Sequence, residues 1–214
     1  MDAHQIKYRE KLAEHLIKNL TKRRMAASFA PTAAQAREEI IAMIPAEATV
    51  SRGGSMSLVE MGLWEELAKK PGVKLIDPFT PGLTPEEAYI RMRQGLLADY
   101  HIASANALTM DGRIVNLDAT GNRVAAISFG PDKVILVVGL NKVTPDLETA
   151  MARVKHYAAP INAIRLKRET PCAETGLCID CKSPDRICYM WSIIEGHRFA
   201  NRIHVKLVGE DLGY

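Results

Sequence analysis

The 214-residue chain is 47% hydrophobic and 25% charged, which is typical of an average globular protein and excludes a disordered or collagen-like chain. Its formal net charge is only +3 and the charges are spread along the sequence, so nucleic-acid binding is not predicted. No apolar run approaches the roughly 20 residues of a membrane-spanning helix, and the first residues lack the pattern of a signal peptide. We therefore expect a cytoplasmic protein with a single domain over residues 1–214 and no membrane span.

Four segments have the sequence pattern of helices. Within residues 1–25, apolar side chains recur about every four positions, which predicts an amphipathic surface helix at the N-terminus. Capping-box patterns begin two further helices, and the one at Thr84 is reinforced by a proline at the first helical position. A fourth helix is expected to begin at Thr144 with Pro145. The predicted helices span residues 4–23, 32–45, 85–98 and 144–157.

Short runs rich in β-branched residues lie between these helices. Because strands that alternate with helices pair in parallel through crossover connections, the runs predict an α/β fold with a mostly parallel sheet. Two turn signals, Asp111-Gly112 and Gly121-Asn122, predict antiparallel hairpins inserted into this sheet, with strands at 114–117 and 124–128. The predicted parallel strands are 48–51, 73–76, 100–104, 134–138 and 203–208.

All four cysteines of the chain lie close together near its C-terminal end. Their spacing is C-x5-C-x2-C-x6-C, and the segment that holds them, residues 170–190, is rich in turn-forming residues, as a loop around an ion would be. Disulfides are disfavoured in a reducing cytoplasm, so we expect a metal site. The predicted ligands are Cys172, Cys178, Cys181 and Cys188.

The cysteine spacing leaves the metal open. It matches neither common ferredoxin pattern nor a pair of C-x2-C zinc knuckles, so an iron–sulfur cluster and a structural zinc are both candidates. Basic residues surround the cysteines and would favour thiolates in either case. Two other interpretations stay open: reduced thiols in disulfide exchange, and cysteines that pack as small hydrophobic side chains.

A turn rich in glycine and serine follows the strand predicted at 48–51. Gly53 and Gly54 permit close approach of a ligand to the backbone, and Ser55 adds a hydroxyl group. The helix after the turn would begin with a capping box of Ser57 and Glu60. The turn is a candidate site for a phosphate or carboxylate, but it matches no phosphate-binding motif, and a tight turn before a capped helix explains it equally well.

A second set of polar residues surrounds the predicted hairpins and the end of the buried strand at 134–138. Open α/β sheets bind their ligands at the carboxyl ends of the strands, so these residues are candidates for ligand contacts. Asp118 and Lys142 carry the charges and are candidate catalytic residues, although Asn and Asp beside glycine are also ordinary turn residues. The remaining candidate ligand contacts are Asn116, Asn122 and Asn141.

Together these residues make the chain resemble the LUD (lactate-utilisation domain) proteins, which include the lactate utilization protein C-like chains. The resemblance covers nearly the whole sequence. Its most specific parts are Gly53-Gly54-Ser55 with Leu58 and Glu60, Asn116-Leu117-Asp118 with Gly121 to Ala125, Gly139 with Asn141-Lys142, Ala159-Pro160 with Asn162, the cysteine segment, and residues 208–213.

The resemblance implies a three-layer α/β/α sandwich similar to the sugar-phosphate isomerases and coenzyme A transferases. It also implies participation in the oxidation of L-lactate to pyruvate, in a cytoplasmic complex with other iron–sulfur subunits. Many short members lack the four cysteines, so this chain looks like a cysteine-bearing subgroup. Some of the related transferases use a glutamate nucleophile, and Glu60 is the nearest candidate in this chain.

Three functional interpretations follow. In the first, the cysteines hold an iron–sulfur cluster that passes electrons, and a small carboxylate binds in a pocket made by Ser55, Ser57, Asp118, Asn122 and Lys142. Lys142 would pair with the carboxylate, and Asp118 would accept a proton or orient a hydroxyl. In the second, a structural zinc fixes the cysteine segment, and the sheet is a binding or regulatory module, or a transferase- or isomerase-like enzyme, for a phosphorylated or carboxylate ligand. In the third, the helix at 8–20 docks a partner in an assembly. A homo-oligomer is compatible with all three.

Overall fold

A computed structural model describes residues 2–214 of the chain. Its first half contains α1 (Ala3–Lys22), β1 (Ala26–Ala30), α2 (Ala33–Met43), β2 (Thr49–Arg52), α3 (Met56–Glu60), α4 (Leu63–Leu67), β3 (Lys74–Ile76), α5 (Pro85–Gln94) and β4 (Tyr100–Ala103). Its second half contains β5 (Ala107–Thr109), β6 (Ile114–Asp118), α6 (Asn122–Ser128), β7 (Lys133–Gly139), β8 (Val143–Thr144), α7 (Leu147–Arg153), α8 (Ala159–Arg165), α9 (Pro171–Thr175), β9 (Met190–Ile194) and β10 (Ile203–Val208).

Six parallel strands form the central sheet, in the order β1-β10-β7-β4-β2-β3. Helices α2, α3 and α4 cover one face, and α1 and α6 cover the other. Strand β7 is buried on both faces, which explains its unbroken apolar run from Val134 to Val138. The predicted α/β sandwich with a mostly parallel sheet is therefore confirmed.

A second sheet, in the order β8-β5-β6-β9, packs beside α1. Leu108 and Ile114 on its inner face join the core beneath the central sheet, whereas Val115 and Leu117 on its outer face pack against α7. The second sheet and α7 extend the predicted three layers on one side of the molecule. Residues 190–194, which form β9 and pair with β6, were not predicted as a strand, so the sequence did not predict this second sheet.

The predicted hairpins are correct in one part and wrong in another. Strands β5 and β6 do pair antiparallel around Gly112, but they belong to the second sheet and are not inserted into the central one. The strand predicted at 124–128 is wrong, because these residues form α6. Asp118 Oδ2 accepts a hydrogen bond from Val124 N at 3.0 Å, and a carboxylate at the first turn stabilises a helix despite β-branched residues.

The helix boundaries follow the capping residues. Thr84 and Glu87 make both hydrogen bonds of the predicted capping box, so α5 begins as expected and ends in a short 3-10 turn. Helix α7 is capped by Asp146 and not by Thr144 as predicted. It also continues past residue 157, because a π-helical turn over Val154–Ala158 leads directly into α8.

Helix α1 packs against the protein's own core. Leu16 and Leu20 are fully buried beneath the central sheet, so the apolar face that the third interpretation assigned to a partner is already covered. No helix within residues 2–214 is both long and apolar enough to cross a membrane.

Replacing Leu16 with alanine tests the packing of α1. We expect the free energy of unfolding to fall by about 2–5 kcal/mol, because a fully buried leucine leaves a cavity when it is truncated. Lys18→Ala, at an exposed position of the same helix, is the control and should change it by less than about 0.5 kcal/mol. Urea denaturation followed by circular dichroism measures both. Equal effects in the two variants would contradict the packing of α1 described here.

Candidate functional site

The carboxyl ends of three neighbouring strands, β7, β4 and β2, meet at one edge of the central sheet. The segments that follow them, together with the end of β6, surround a cleft of about 250 Å³. This is the position at which α/β sheets commonly bind ligands. The sequence-predicted residues that line the cleft are Gly54, Ser55, Asp118, Asn122 and Lys142.

Lys142 lies in the wall of this cleft and is only 2% exposed. Its Nζ donates hydrogen bonds to Ser57 Oγ at 2.8 Å and to Ser104 Oγ at 3.0 Å. Burial, followed by the positive charges of Arg153 and Arg123, lowers the pKa of Lys142 to about 7. This lysine is therefore poised to gain or lose a proton near neutral pH.

Ser57 and Glu60 do not form the predicted capping box. Helix α3 begins after Ser55, so Ser57 lies inside the helix, where it is fully buried and holds Lys142. Glu60 does not line the cleft, and its carboxylate accepts a hydrogen bond from Gly213 N at 2.6 Å. Glu60 thus fastens the C-terminal segment to α3, and its negative charge opposes the lowering of the Lys142 pKa. The nucleophilic role considered from the resemblance stays a prediction.

Asp118 and Arg123 form a buried ion pair at the floor of the cleft. Arg123 Nε and Nη2 donate to Asp118 Oδ1 at 2.9 and 2.7 Å, and Oδ2 accepts from Val124 N. The same guanidinium donates to the Ser104 carbonyl oxygen at 3.1 Å. Both carboxylate oxygens of Asp118 are engaged, so its geometry suits the positioning of Arg123 better than proton transfer.

The glycine turn after β2 gives Arg123 the space it needs. A Cβ atom at Gly53 would lie 3.2 Å from the Cγ and Cδ atoms of Arg123, closer than nearly all real contacts of this kind. A Cβ atom at Gly54 would lie 3.2 Å from the ring of Phe79. Gly53 lines no part of the cleft itself, whereas Gly54 does.

Two predicted asparagines stabilise the site from outside the cleft. Asn141 accepts from Leu212 N at 3.2 Å and donates to the Gly213 carbonyl oxygen at 3.1 Å, which holds the C-terminal segment in place. Asn116 is fully buried between strands and accepts from Asn106 N at 3.3 Å. Neither side chain lines the cleft, so direct ligand contact is not supported for them by the geometry.

Several residues of the cleft were not predicted as site residues. They come from segments far apart in the sequence: Ser104, Asn162, Arg165, Arg168 and Tyr214. Ser104 is the last residue of the strand predicted at 100–104, and its place at a strand end is a signal that could have found it. Asn162 belonged to the family resemblance but was given no role in the site. The others come from α8, the turn after it and the C-terminal segment, and the sequence carries no pattern that places these beside the sheet.

The four cysteines gather around a second, smaller cavity. Cys172 lies on α9 and the other three on the segment that follows, and all four are half-buried free thiols. Together with Lys155 and Arg186 they line a space of about 20 Å³ against α8. Within residues 2–214, no three His, Cys, Asp or Glu side chains are arranged to hold a single metal ion.

The donor set of this second cavity fits a thiolate-bound metal centre. Arg186 fixes the backbone by donating to the carbonyl oxygens of Cys181 at 2.8 Å and Cys188 at 2.5 Å. Thr170 Oγ1 lies 3.3 Å from Cys172 Sγ. The Arg186 guanidinium beside four thiols would offset part of the negative charge that thiolates bring to a metal, whereas Lys155 is paired with Asp180, which also lines the cavity.

Comparisons with known proteins identify the family of the chain and a similar structure. The LUD domain family matches residues 13–208. A DUF162 family protein from Deinococcus radiodurans is similar in structure, with a TM-score of 0.52 and 15% identity over 94% of this chain and 97% of that one. At this identity the likeness concerns the fold alone. No curated protein matches the sequence.

Two more distant structures were also found. Ribose 5-phosphate isomerase from Plasmodium falciparum has a TM-score of 0.35 and 12% identity over 53% of this chain and 52% of that one. The eIF2B delta protein from Chaetomium thermophilum has a TM-score of 0.35 and 18% identity over 56% of this chain and 50% of that one. The family match spans most of the sequence, and the chain therefore belongs to the LUD domain family, which is related to the lactate utilization proteins.

Proposed function

We propose that this chain binds L-lactate, or a related 2-hydroxycarboxylate, in the Lys142 cleft. It thereby takes part in the oxidation of lactate to pyruvate, with other iron–sulfur subunits of a lactate-utilisation complex as its partners. The observation that carries the proposal is the buried Lys142 ammonium, held only by hydroxyl groups, in the wall of a positively charged cleft. Membership of the LUD family supports the lactate context.

The cleft has an excess of positive charge. Among its described lining residues, four basic side chains face one acidic side chain, Asp118. Because Asp118 is bound to Arg123, the charges of Lys142 and Arg165 are left for a ligand. A carboxylate that entered the cleft would make charge-assisted hydrogen bonds that water cannot match in a partly buried site.

The protonation of Lys142 makes the positive charge of the cleft depend on pH. Burying an ammonium without an anionic partner is costly, and this cost lowers its pKa to about 7. A ligand carboxylate beside Nζ would remove much of that cost and raise the pKa again. Binding above pH 7 is therefore expected to bring a proton onto Lys142.

The other groups of the cleft suit a small hydroxy acid. Ser104 and Asn122 line the cleft near Lys142 and offer hydrogen bonds to a ligand hydroxyl. The volume of about 250 Å³ lies near the lower end of the range of about 300–1,000 Å³ for small-molecule pockets. In this proposal Asp118 positions Arg123, and Lys142 pairs with the carboxylate.

A phosphorylated ligand is the second candidate, for a transferase- or isomerase-like function. Arg165 lines the cleft together with Lys142, and so does Arg168, which is paired with Asp185 at 3.0 Å. Two cations without an ion-pair partner in residues 2–214, with a third beside them, suit a phosphate better than a single carboxylate requires. The same titration with a phosphorylated sugar in place of lactate distinguishes the two candidates.

Isothermal titration with L-lactate at pH 8 tests the role of Lys142. In buffers of different ionisation enthalpy, we expect an uptake of about 0.9 proton per ligand, because about a tenth of a group with a pKa of about 7 is protonated at pH 8. Lys142→Met should abolish this uptake and weaken binding about tenfold or more. Lys133→Met, an exposed lysine at the start of β7, is the matched control and should behave as the unaltered chain.

The outcomes separate the candidates. Binding of the phosphorylated ligand without binding of L-lactate would favour the second function. Binding of lactate with no proton uptake, or equal affinity in Lys142→Met, would contradict the role of Lys142. No binding of either ligand would reject both functions.

The stability of the protein should also depend on Lys142 between pH 7 and pH 9. An unfolded lysine keeps its proton up to about 10.5, whereas folded Lys142 releases it above about 7, so the unfolded chain binds more protons in this range. The free energy of unfolding should therefore rise with pH, by up to about 1.4 kcal/mol per unit from this group. Lys142→Met should lose this rise in urea denaturation with reduced thiols. An identical pH dependence in the variant would show that Lys142 is an ordinary lysine.

A further inference from the structure

The four thiols surround an enclosed space lined mainly by apolar side chains. Ala159 and Ala163 of α8 form one wall, and Ile179 and Ile187 from the cysteine segment form the other. All four cysteines of the chain line this one space, although Cys188 also packs against a hydrophobic cluster. A common space lined by four thiols is what an occupant that bonds to sulfur requires.

Arg186 supplies a second and independent observation. Its side chain lines the same cavity, and its Nε atom is buried without a hydrogen-bond partner among the described residues. A buried N–H group without an acceptor is costly, so it is normally paired. An occupant with acceptor atoms of its own, such as the sulfides of a cluster, would complete it.

A cluster and a single ion make different demands on four thiolates. Four thiolates that hold zinc must meet at one point, about 2.3 Å from the metal. The thiolates of an iron–sulfur cluster bind different iron atoms, and the cluster brings sulfide atoms of its own. Here the four cysteines line one cavity together with Arg186, whose buried Nε has no acceptor among residues 2–214, and the sulfides of a cluster would supply the acceptor that a zinc ion lacks.

The free volume of about 20 Å³ is a lower bound on what the cavity holds. A metal–thiolate bond of about 2.3 Å is more than an ångström shorter than a nonbonded contact of about 3.5 Å. An occupant bonded to the four sulfur atoms therefore approaches each of them more closely than a nonbonded one. It fits in a cavity whose free volume is smaller than the occupant itself. Arg186, which lines the cavity, balances part of the charge of the thiolates, whereas Lys155 is paired with Asp180 in the same lining.

From this geometry we propose that Cys172, Cys178, Cys181 and Cys188 bind an iron–sulfur cluster and not a structural zinc. Ile187 lines both this cavity and the Lys142 cleft, so the cluster lies one side chain away from the ligand site. The assignment does not depend on which anion binds at Lys142.

A metal competition on the full chain tests the proposal. The chain, with its thiols reduced and the reductant removed, is incubated anaerobically with ferric and ferrous iron, sulfide and zinc together, the excess is removed, and bound iron, sulfide and zinc are measured. We expect iron and sulfide in equal amounts, with a broad visible absorption that dithionite bleaches. Retention of zinc in place of iron and sulfide, or of no metal, would overturn the proposal.

Variants assign the ligands. Cys178→Ser and Cys188→Ser should each lose most of the bound iron and sulfide, whereas Ser183→Ala in the same segment should keep them, because Ser183 does not line the cavity. Unchanged iron content in both cysteine variants would overturn the assignment. If a cysteine variant does not fold, the competition on the unaltered chain still decides. Lys142→Met should keep the cluster, so failure of the carboxylate proposal and failure of the cluster proposal give different results.

Discussion

The buried guanidinium of Arg123 is the interaction on which the site depends. It binds the Ser104 carbonyl oxygen at the end of β4 and the Asp118 carboxylate at the end of β6, and so joins the central sheet to the second sheet. A buried arginine requires partners for its N–H groups, which is why both strand ends are held in one geometry. The cleft is the space left open at this junction.

The charge balance of the cleft follows from that ion pair. Asp118 neutralises Arg123, so Lys142 is left with hydroxyl partners and with no carboxylate within ion-pair distance in residues 2–214. Burial is the main cause of the lowered pKa of Lys142, and the positive charges of Arg153 and then Arg123 add to it. The buried pair thus shapes the cleft and contributes to the electrostatics of its central lysine. The shared residue Ile187 then places the cysteine cavity next to the same cleft.

Local patterns were sufficient to predict most of the central sheet. The apolar run of β7 and the capping residues of α5 act within a few residues, and the structure shows them as expected. The strand predicted at 124–128 failed because the helix there is capped by Asp118, a contact between segments that sequence periodicity does not reveal. Ser57 was predicted to cap a helix, but it lies inside α3 and accepts a hydrogen bond from Lys142, 85 residues away. Sequence patterns do not reveal a contact over that separation.

Two residues of the site were predictable because they lie at strand ends. Asp118 is the last residue of β6 and Lys142 comes shortly after β7, and ligands of α/β sheets bind at the carboxyl ends of the strands. Arg165 and Tyr214 could not be predicted, because their positions depend on how α8 and the C-terminal segment fold back over the sheet. The cysteine spacing found the four residues that line the second cavity, but it left the metal open, because spacing does not say whether four thiolates meet at one atom or surround several.

The proposed carboxylate site requires that Lys142 titrates near neutral pH. Nuclear magnetic resonance measures this titration, with carbon-13 label at lysine Cε and Lys142→Met to assign the signal. We expect one lysine signal that titrates near pH 7 and moves to a higher pKa when L-lactate is added. If every lysine signal titrates near 10.5, with or without lactate, Lys142 is an ordinary lysine and the proposed site is wrong.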